Sequence, residues 1–284
     1  MLLVIVIIVF ILFMVLEIRR ELSTFKTVYY NIQVPGIKDE RRIVFLSDLH
    51  NHVYGENNSQ LFEAIADEEP DLILIGGDML VGKENEHYTQ ALEFVKQLPE
   101  ICPVYYANGN HEQRMKECPD NYIASYVKYQ DELKERGVSF LENSSVEFLW
   151  DNREVRITGL EIPLKCYTHF RRVKLTDEEI NERIGEKNPM EYNILLAHNP
   201  GYMKNYLEWG ADLILSGHLH GGIVRIPGVT GVIAPNFEIF PKYSGDIYQD
   251  GMSDIVVSKG LGTHTFNIRL FNPAEVVVLC ISEE

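Results

Sequence analysis

Five short polar clusters, each closing an apolar run, hold the residues best suited to chemistry: Asp48-Leu49-His50, Gly76-Gly77-Asp78, Gly109-Asn110-His111-Glu112, Ala197-His198-Asn199 and Gly217-His218-Leu219-His220. Together they supply carboxylates, imidazoles and one amide, a donor set suited to two borderline divalent metals beside a reactive water. Asp48 and His50 stand two apart, so on a continuing strand both face one metal. Asp78 follows two glycines that permit a sharp turn, and its two oxygens could bridge metals about 3.5–4 Å apart. The Asn110 amide is a neutral ligand, and the adjacent His111 is suited to act as general acid or to stabilise developing charge. His198 closes an apolar run, and His218 and His220 form a candidate clamp flanked by glycines. Each cluster also has a plainer reading as a turn, a helix cap or a structural histidine. Those readings must all hold independently, whereas one shared site at the strand ends explains all five.

Other residues carry less. His52 lies near the first cluster, and His264 and Arg269 in the tail are candidates to meet phosphate, Arg269 being equally well explained by a structural ion pair. His87 and His169 have no supporting context, and Tyr105 and Tyr106 read as core.

The elements that position these residues follow from the apolar pattern. Residues 42–48, 71–78, 192–200 and 211–222 read as buried strands running into their clusters, and 103–112 as a strand and loop. Residues 59–68, 86–98 and 120–136 are helical in pattern, the last closed by Gly137, and 176–186 begins with the capping-box spacing of Thr176 and Glu179. Residues 138–161 read as successive strands of antiparallel character, and 254–262 and 275–282 as closing strands. Residues 26–34 are β-like and are turned by Pro35-Gly36. Loops at 52–58, 112–125, 165–190 and 227–252 are expected to shape the pocket. This alternation predicts an α/β fold: two sheets packed face to face, helices outside, in one domain over residues 42–284.

The net charge of −16 disfavours nucleic acid as a partner, because such binding rests on Lys and Arg neutralising phosphates. A small phosphorylated substrate stays open, since bound metals make a site locally positive. The four cysteines show no zinc or CxxC spacing and read as free or buried thiols. Residues Leu2 to Leu16 are apolar without a break, and a helix to Ile18 would span about 27 Å of a bilayer core of about 30 Å. Neither a basic leader nor a small-residue cleavage site is present, so residues 1–18 read as an uncleaved single-pass membrane anchor, followed by a juxtamembrane segment at 19–41. Arg19, Arg20 and Lys26 follow the run, which by the positive-inside rule places the domain in the cytoplasm.

In the order D-x-H, GD, GNH, H and GH-x-H, the clusters resemble the motif blocks of the calcineurin-like metallophosphoesterase superfamily, over about residues 42–282. The resemblance implies a four-layer αββα sandwich of two mixed sheets flanked by helices. It implies that Asp48, His50 and His220 hold one metal and Asn110, His198 and His218 the other, with Asp78 bridging. His111 would be the proton donor near the leaving group, and a metal-bridging hydroxide would attack phosphorus in line. Glu112 stands where many members carry Asp. The apolar amino terminus, the run Gly217–Gly222 and the tail Gly260–Glu275 most resemble the bacterial membrane-associated YkuE-like branch, which includes enzymes acting on nucleotide-linked glycolipid pyrophosphates of the UDP-2,3-diacylglucosamine type. The implied function is a membrane-anchored dimetal phosphoesterase, using Mn, Fe or Zn, that hydrolyses a phosphoester or pyrophosphate bond in a phosphorylated small molecule or lipid-linked substrate. The alternative is a non-catalytic metal-binding or scaffold protein that kept the fold; lost ligands would mark it, and no motif position is missing.

Overall fold

Apolar runs with no polar alternation belong to strands covered on both faces, and the computed structural model shows how they are covered. It describes residues 1–168, 173–226, 231–234, 238–263 and 267–283. The elements are, in chain order, α1 (Leu2–Ser23), β1 (Phe25–Gln33), β2 (Arg41–Leu46), α2 (Ser59–Ala66), β3 (Leu72–Ile75), α3 (Thr89–Val95), β4 (Val104–Tyr106), α4 (Asn110–Glu117), α5 (Tyr126–Glu135) and β5 (Val138–Phe140). There follow β6 (Ser144–Trp150), β7 (Arg153–Leu160), α6 (Asp177–Ile184), β8 (Tyr192–Ala197), α7 (Met203–Trp209), β9 (Leu213–Ser216), β10 (Val224–Arg225), β11 (Gly231–Ile233), β12 (Asp246–Asp250), β13 (Ser253–Val257) and β14 (Ala274–Ser282).

One six-stranded sheet has the order β1-β14-β2-β3-β4-β5 and the other β12-β13-β9-β8-β7-β6. Both are mixed. In the first, β2, β3, β4 and β5 run parallel and β14 pairs antiparallel to β2. In the second, β13, β9, β8 and β7 run parallel, with antiparallel β12 and β6 at the edges. Ile43 and Phe45 of β2 point into the layer between the sheets, where they join Ile194 and Leu196 of β8. Val44 and Leu46 point the other way, onto α2, α3 and α5. Leu195 and Ala197 point out onto α6 and α7. The result is the four-layer α/β/β/α sandwich, and each fully buried aliphatic side chain contributes about 1.5–3 kcal/mol. Parallel strands put the loops after β2, β3 and β4 at one end of the first sheet and those after β8, β9 and β13 at the matching end of the second.

Several elements differ from the sequence reading. The Gly-Asn-His-Glu cluster is not in a plain loop: Asn110–Glu117 is helix α4, and its only buried apolar residue is Met115, so no amphipathic period announces it. The helix expected over 120–136 is confined to α5, after a short turn at Pro119–Asn121. β5 is not antiparallel to its successors but pairs parallel with β4 in the other sheet. β12 forms an edge strand inside the stretch expected to be loop. The Thr176–Glu179 capping box is present at α6. All four cysteines are free.

Helix α1 is 22 residues long with a mean hydropathy of 3.0, and none of its apolar window is buried. Its length and composition suit a membrane span or a signal sequence. It continues beyond Ile18 to Ser23, and residues 25–33 form β1, paired parallel with β14 along its length.

Candidate active site

The five clusters all fall at one end of the two sheets, four in loops and one at the start of α4, and the backbone of three of them is bent to a degree that regular structure is not. Asp48, His50, Asp78, His218 and His220 all adopt left-handed conformations, with φ between 49° and 69°. Asp48 and His50 therefore reach the same site through a tight turn, not through the alternation of a continuing strand. Each such non-glycine residue costs of order 1–3 kcal/mol and persists only where its surroundings fix it. Leu49, between Asp48 and His50, and Leu219, between His218 and His220, are buried and anchor the two turns. Backbone bonds from Asp48 N–H to the Gly77 carbonyl (2.9 Å) and from His50 N–H to the Asp78 carbonyl (3.1 Å) join the first two loops. The two sheets are joined at the Asp48 carboxylate, which accepts from the His218 N–H at 3.1 Å. A side chain at Gly109 would overlap the Asp78 carboxylate, and one at Gly217 would overlap Asp48.

Three groups of side chains bring their potential ligand atoms within 4.8 Å of one another: Asp48, His50 and His220; His50, Asp78 and His111; and Asp78, His198 and His218. Two donors about 2.0–2.2 Å from one cation stand roughly 3–3.5 Å apart. The His50 and His220 Nε2 atoms are 3.2 Å apart, His220 Nε2 is 3.4 Å from Asp48, and His198 Nε2 is 3.1 Å from Asp78. His220 Nδ1 lies 3.0 Å from the Gly262 carbonyl and His198 Nδ1 lies 2.7 Å from the Gly76 carbonyl. A nitrogen facing a carbonyl must carry a proton, so in each ring Nε2 is the atom left to meet a cation, which in His198 would displace a second proton held there by Asp78 and Asp48. The Asn110 amide lies 2.9 Å from His218 Nδ1. With its nitrogen inward it donates to the ring; with its oxygen inward, a cation between the two acceptors satisfies both. These residues fit a pair of divalent cations.

His111 is wired in the opposite sense. The Gly82 N–H donates to its Nδ1 at 2.8 Å, which leaves the proton of the neutral ring on Nε2, 3.9 Å from the Asp78 carboxylate. That ring presents a donor and not a lone pair.

The electrostatics match. Burial raises the cost of charge on Asp48, but His220, His198 and His50 beside it hold its carboxyl well below the usual range. Burial likewise opposes ionisation of Asp78, and His198 and His111 hold it low. Burial pushes His198 down, but Asp78 and Asp48 outweigh it and raise the imidazole to about 10.

Sequence reasoning missed the supports. The Glu112 carboxylate accepts from the backbone N–H of Asp78 (2.8 Å), Met79 (2.9 Å) and Gly109 (3.1 Å) and from the Tyr106 hydroxyl (2.7 Å). It thus straps the Asp78 turn to the start of α4. Burial and the neighbouring Asp78 push its carboxyl up to about 7, against the pull of those donors. Arg269 is buried, and its guanidinium donates to the carbonyls of Lys259 (2.7 Å), Gly260 (3.1 Å) and Gly262 (2.8 Å). It scaffolds the loop after β13, its burial leaves no open face for phosphate, and among the described residues it forms no ion pair, the other reading of this residue. The Gly260-Leu261-Gly262 run at the end of a strand was the signal for this sixth loop. His52 packs edge-on against Tyr54, ring centroids 4.6 Å apart. Tyr106 is in the core, as expected, while His169 and His264 lie outside the described residues.

Residues 41–222, a span that holds all five clusters, match the calcineurin-like phosphoesterase family. The phosphodiesterase YaeI of Escherichia coli is 26% identical over 244 residues, covering 84% of this chain and 81% of that protein. The metallophosphoesterase YkuE of Bacillus subtilis is 23% identical over 252 residues, covering 87% and 81%. Among solved structures, the phosphopantetheinyl hydrolase PptH of Mycobacterium tuberculosis aligns at 15% identity with a TM-score of 0.45, over 80% of this chain and 91% of that one. With the match covering most of the chain and the histidine-aspartate clusters gathered at one end of the sheets, the chain belongs to the calcineurin-like phosphoesterase family and is a metal-dependent phosphohydrolase.

Proposed function

We propose that the chain is a membrane-anchored dimetal phosphohydrolase in which Asp48, His50 and His220 hold one cation, Asn110, His198 and His218 hold the second, and Asp78 bridges them. The observation that carries this reading is the set of ring contacts: the Gly76 and Gly262 carbonyls face Nδ1 of His198 and His220 and leave each Nε2 toward the carboxylates, while the Gly82 N–H occupies Nδ1 of His111. When bound, the cations supply Lewis-acid stabilisation of phosphate oxygens and lower the pKa of a water. The protein's part is to orient the ligands through Gly76 and Gly262, and to present the His111 Nε2–H to the leaving-group oxygen. A nitrogen and oxygen donor set without thiolate supports Mn, Fe or Zn.

Residues 1–18 act as an uncleaved anchor, 19–41 as the juxtamembrane stretch and 42–284 as the catalytic domain, on the cytoplasmic side that Arg19, Arg20 and Lys26 favour. A lipid-linked substrate fits this placement. The exposed apolar side chains Ile226, Ile233, Ile239, Phe240 and Ile268 lie in the loops that follow His220 and in the tail. That tail meets the foot of α1 through a hydrogen bond from Asn272 to Glu21. A panel run on purified full-length protein tests the reading: bis-p-nitrophenyl phosphate, p-nitrophenyl phosphate and a nucleotide-linked glycolipid pyrophosphate in mixed micelles. Turnover of the pyrophosphate lipid well above both soluble esters is expected. Preference for the soluble monoester would contradict the lipid assignment and leave the phosphohydrolase intact.

A further inference from the structure

We propose that Glu21 and Asn272 are positioning residues for His220, so that the last turn of α1 is part of the metal site. The inference rests on the reading of His220 as a ligand. Glu21 is the one buried residue of α1, only 2% exposed at the foot of a helix whose other side chains are exposed or half-buried. Its Oε2 accepts the backbone N–H of Asn272 at 2.7 Å. Its other oxygen meets Arg20 at 3.5 Å, which partly balances the charge. Asn272 is fully buried, and its Nδ2 donates to two backbone carbonyls at once, those of His220 and Gly222, each at 2.6 Å. A side chain at Gly221, between them, would overlap the Asn272 amide oxygen.

His220 is thereby held at two points. Its ring is set by the Gly262 carbonyl, which Arg269 holds. Its backbone, in the left-handed conformation that aims the ring inward, is set by Asn272, which Glu21 holds. Phe25, just past the helix, packs edge-on against Tyr54 in the loop after β2, ring centroids 4.9 Å apart. A tether needs none of these contacts: an exposed, polar foot would hold the domain at a membrane equally well. Groups that orient a metal ligand typically alter metal affinity 10–100-fold when removed.

The test is Mn²⁺ binding by the full-length chain in detergent, read by bound-metal analysis and by the electron paramagnetic resonance signal of a coupled manganese pair. Glu21→Ala and Asn272→Ala are each expected to weaken one of two bound Mn²⁺ ions by about tenfold or more and to replace coupled signal with mononuclear signal. Glu21→Gln, whose amide oxygen accepts the same N–H, is expected to keep both ions, as is Glu17→Ala, which removes only the nearby ion pair with Arg20. Circular dichroism identifies the folded variants, and entry from two residues keeps the test decisive if one fails to fold. A folded Glu21→Ala or Asn272→Ala chain with two ions at wild-type affinity would overturn the inference, as would a folded Glu21→Gln chain that loses one. A wild-type chain that binds fewer than two ions, or a His220→Ala chain that keeps both, would instead overturn the ligand reading beneath it.

Discussion

His111 and His198 both face Asp78 but are wired in opposite senses, because a single backbone hydrogen bond sets each ring. The Gly82 N–H donates to Nδ1 of His111 and leaves the proton of that neutral ring on Nε2, whereas the Gly76 carbonyl accepts from Nδ1 of His198 and leaves its Nε2 as the atom a cation would meet. His111→Ala is therefore expected to lower kcat by about 10²–10⁴ with metal content unchanged. The loss should be larger for an alkyl leaving group than for p-nitrophenolate, which needs no proton; equal losses would remove His111 from that role. His198 also makes metal binding depend on pH. In the metal-free fold its pKa is raised by Asp78 and Asp48, against burial, to about 10, from an ordinary value of about 6.5. The folded value lies above the unfolded one, so the proton stabilises the metal-free fold fully below about pH 6.5, and that contribution is lost as the pH rises through about 10. A cation must displace the same proton, so its apparent affinity rises across this window. The gap in Tm between Mn²⁺-loaded and chelated protein should widen from pH 6.5 toward 10; a constant gap would contradict this wiring.

Among the elements, the start of α4 is the joint that fixes Asp78. Three backbone N–H groups converge on Glu112, so the position requires an acceptor on both oxygens. Glu112→Gln, equal in volume, turns a donor toward those donors and is expected to cost about 1–3 kcal/mol and lower Tm; a Gln variant as stable as wild type would show that Glu112 acts through packing alone. The same joint shows what a sequence can and cannot disclose. The five polar clusters were legible because each is short, local and placed by the end of an apolar strand. Helix α4 was not, since its stability comes from the Glu112 strap and from tertiary contacts and not from a buried stripe. β5 was legible as a strand but not as a member of the first sheet, because an apolar pattern records burial and not the identity of the neighbour. Arg269 and Asn272 were illegible in their roles because their partners are backbone carbonyls in distant loops, which leave no residue-type signature.

Across the whole molecule, two sheets bring six loops to one end, and helix α1 roots itself at that same end through Glu21. An acidic chain of net charge −16 gathers its inward-facing imidazoles around two buried carboxylates, where cations supply the missing positive charge. Co-reconstitution with a lipid-linked pyrophosphate in one vesicle is expected to raise kcat/KM over the same substrate in separate vesicles; equal rates would argue for a soluble substrate. The central claim is that two cations, held by Asp48, His50, Asp78, Asn110, His198, His218 and His220, carry phosphoester hydrolysis. It is tested most directly by restoring Mn²⁺ stepwise to chelator-stripped full-length protein and measuring bis-p-nitrophenyl phosphate hydrolysis at each step. The expected result is no turnover in the stripped protein and full turnover when two equivalents are bound. Turnover that survives stripping, or that is complete at one equivalent, would contradict the claim.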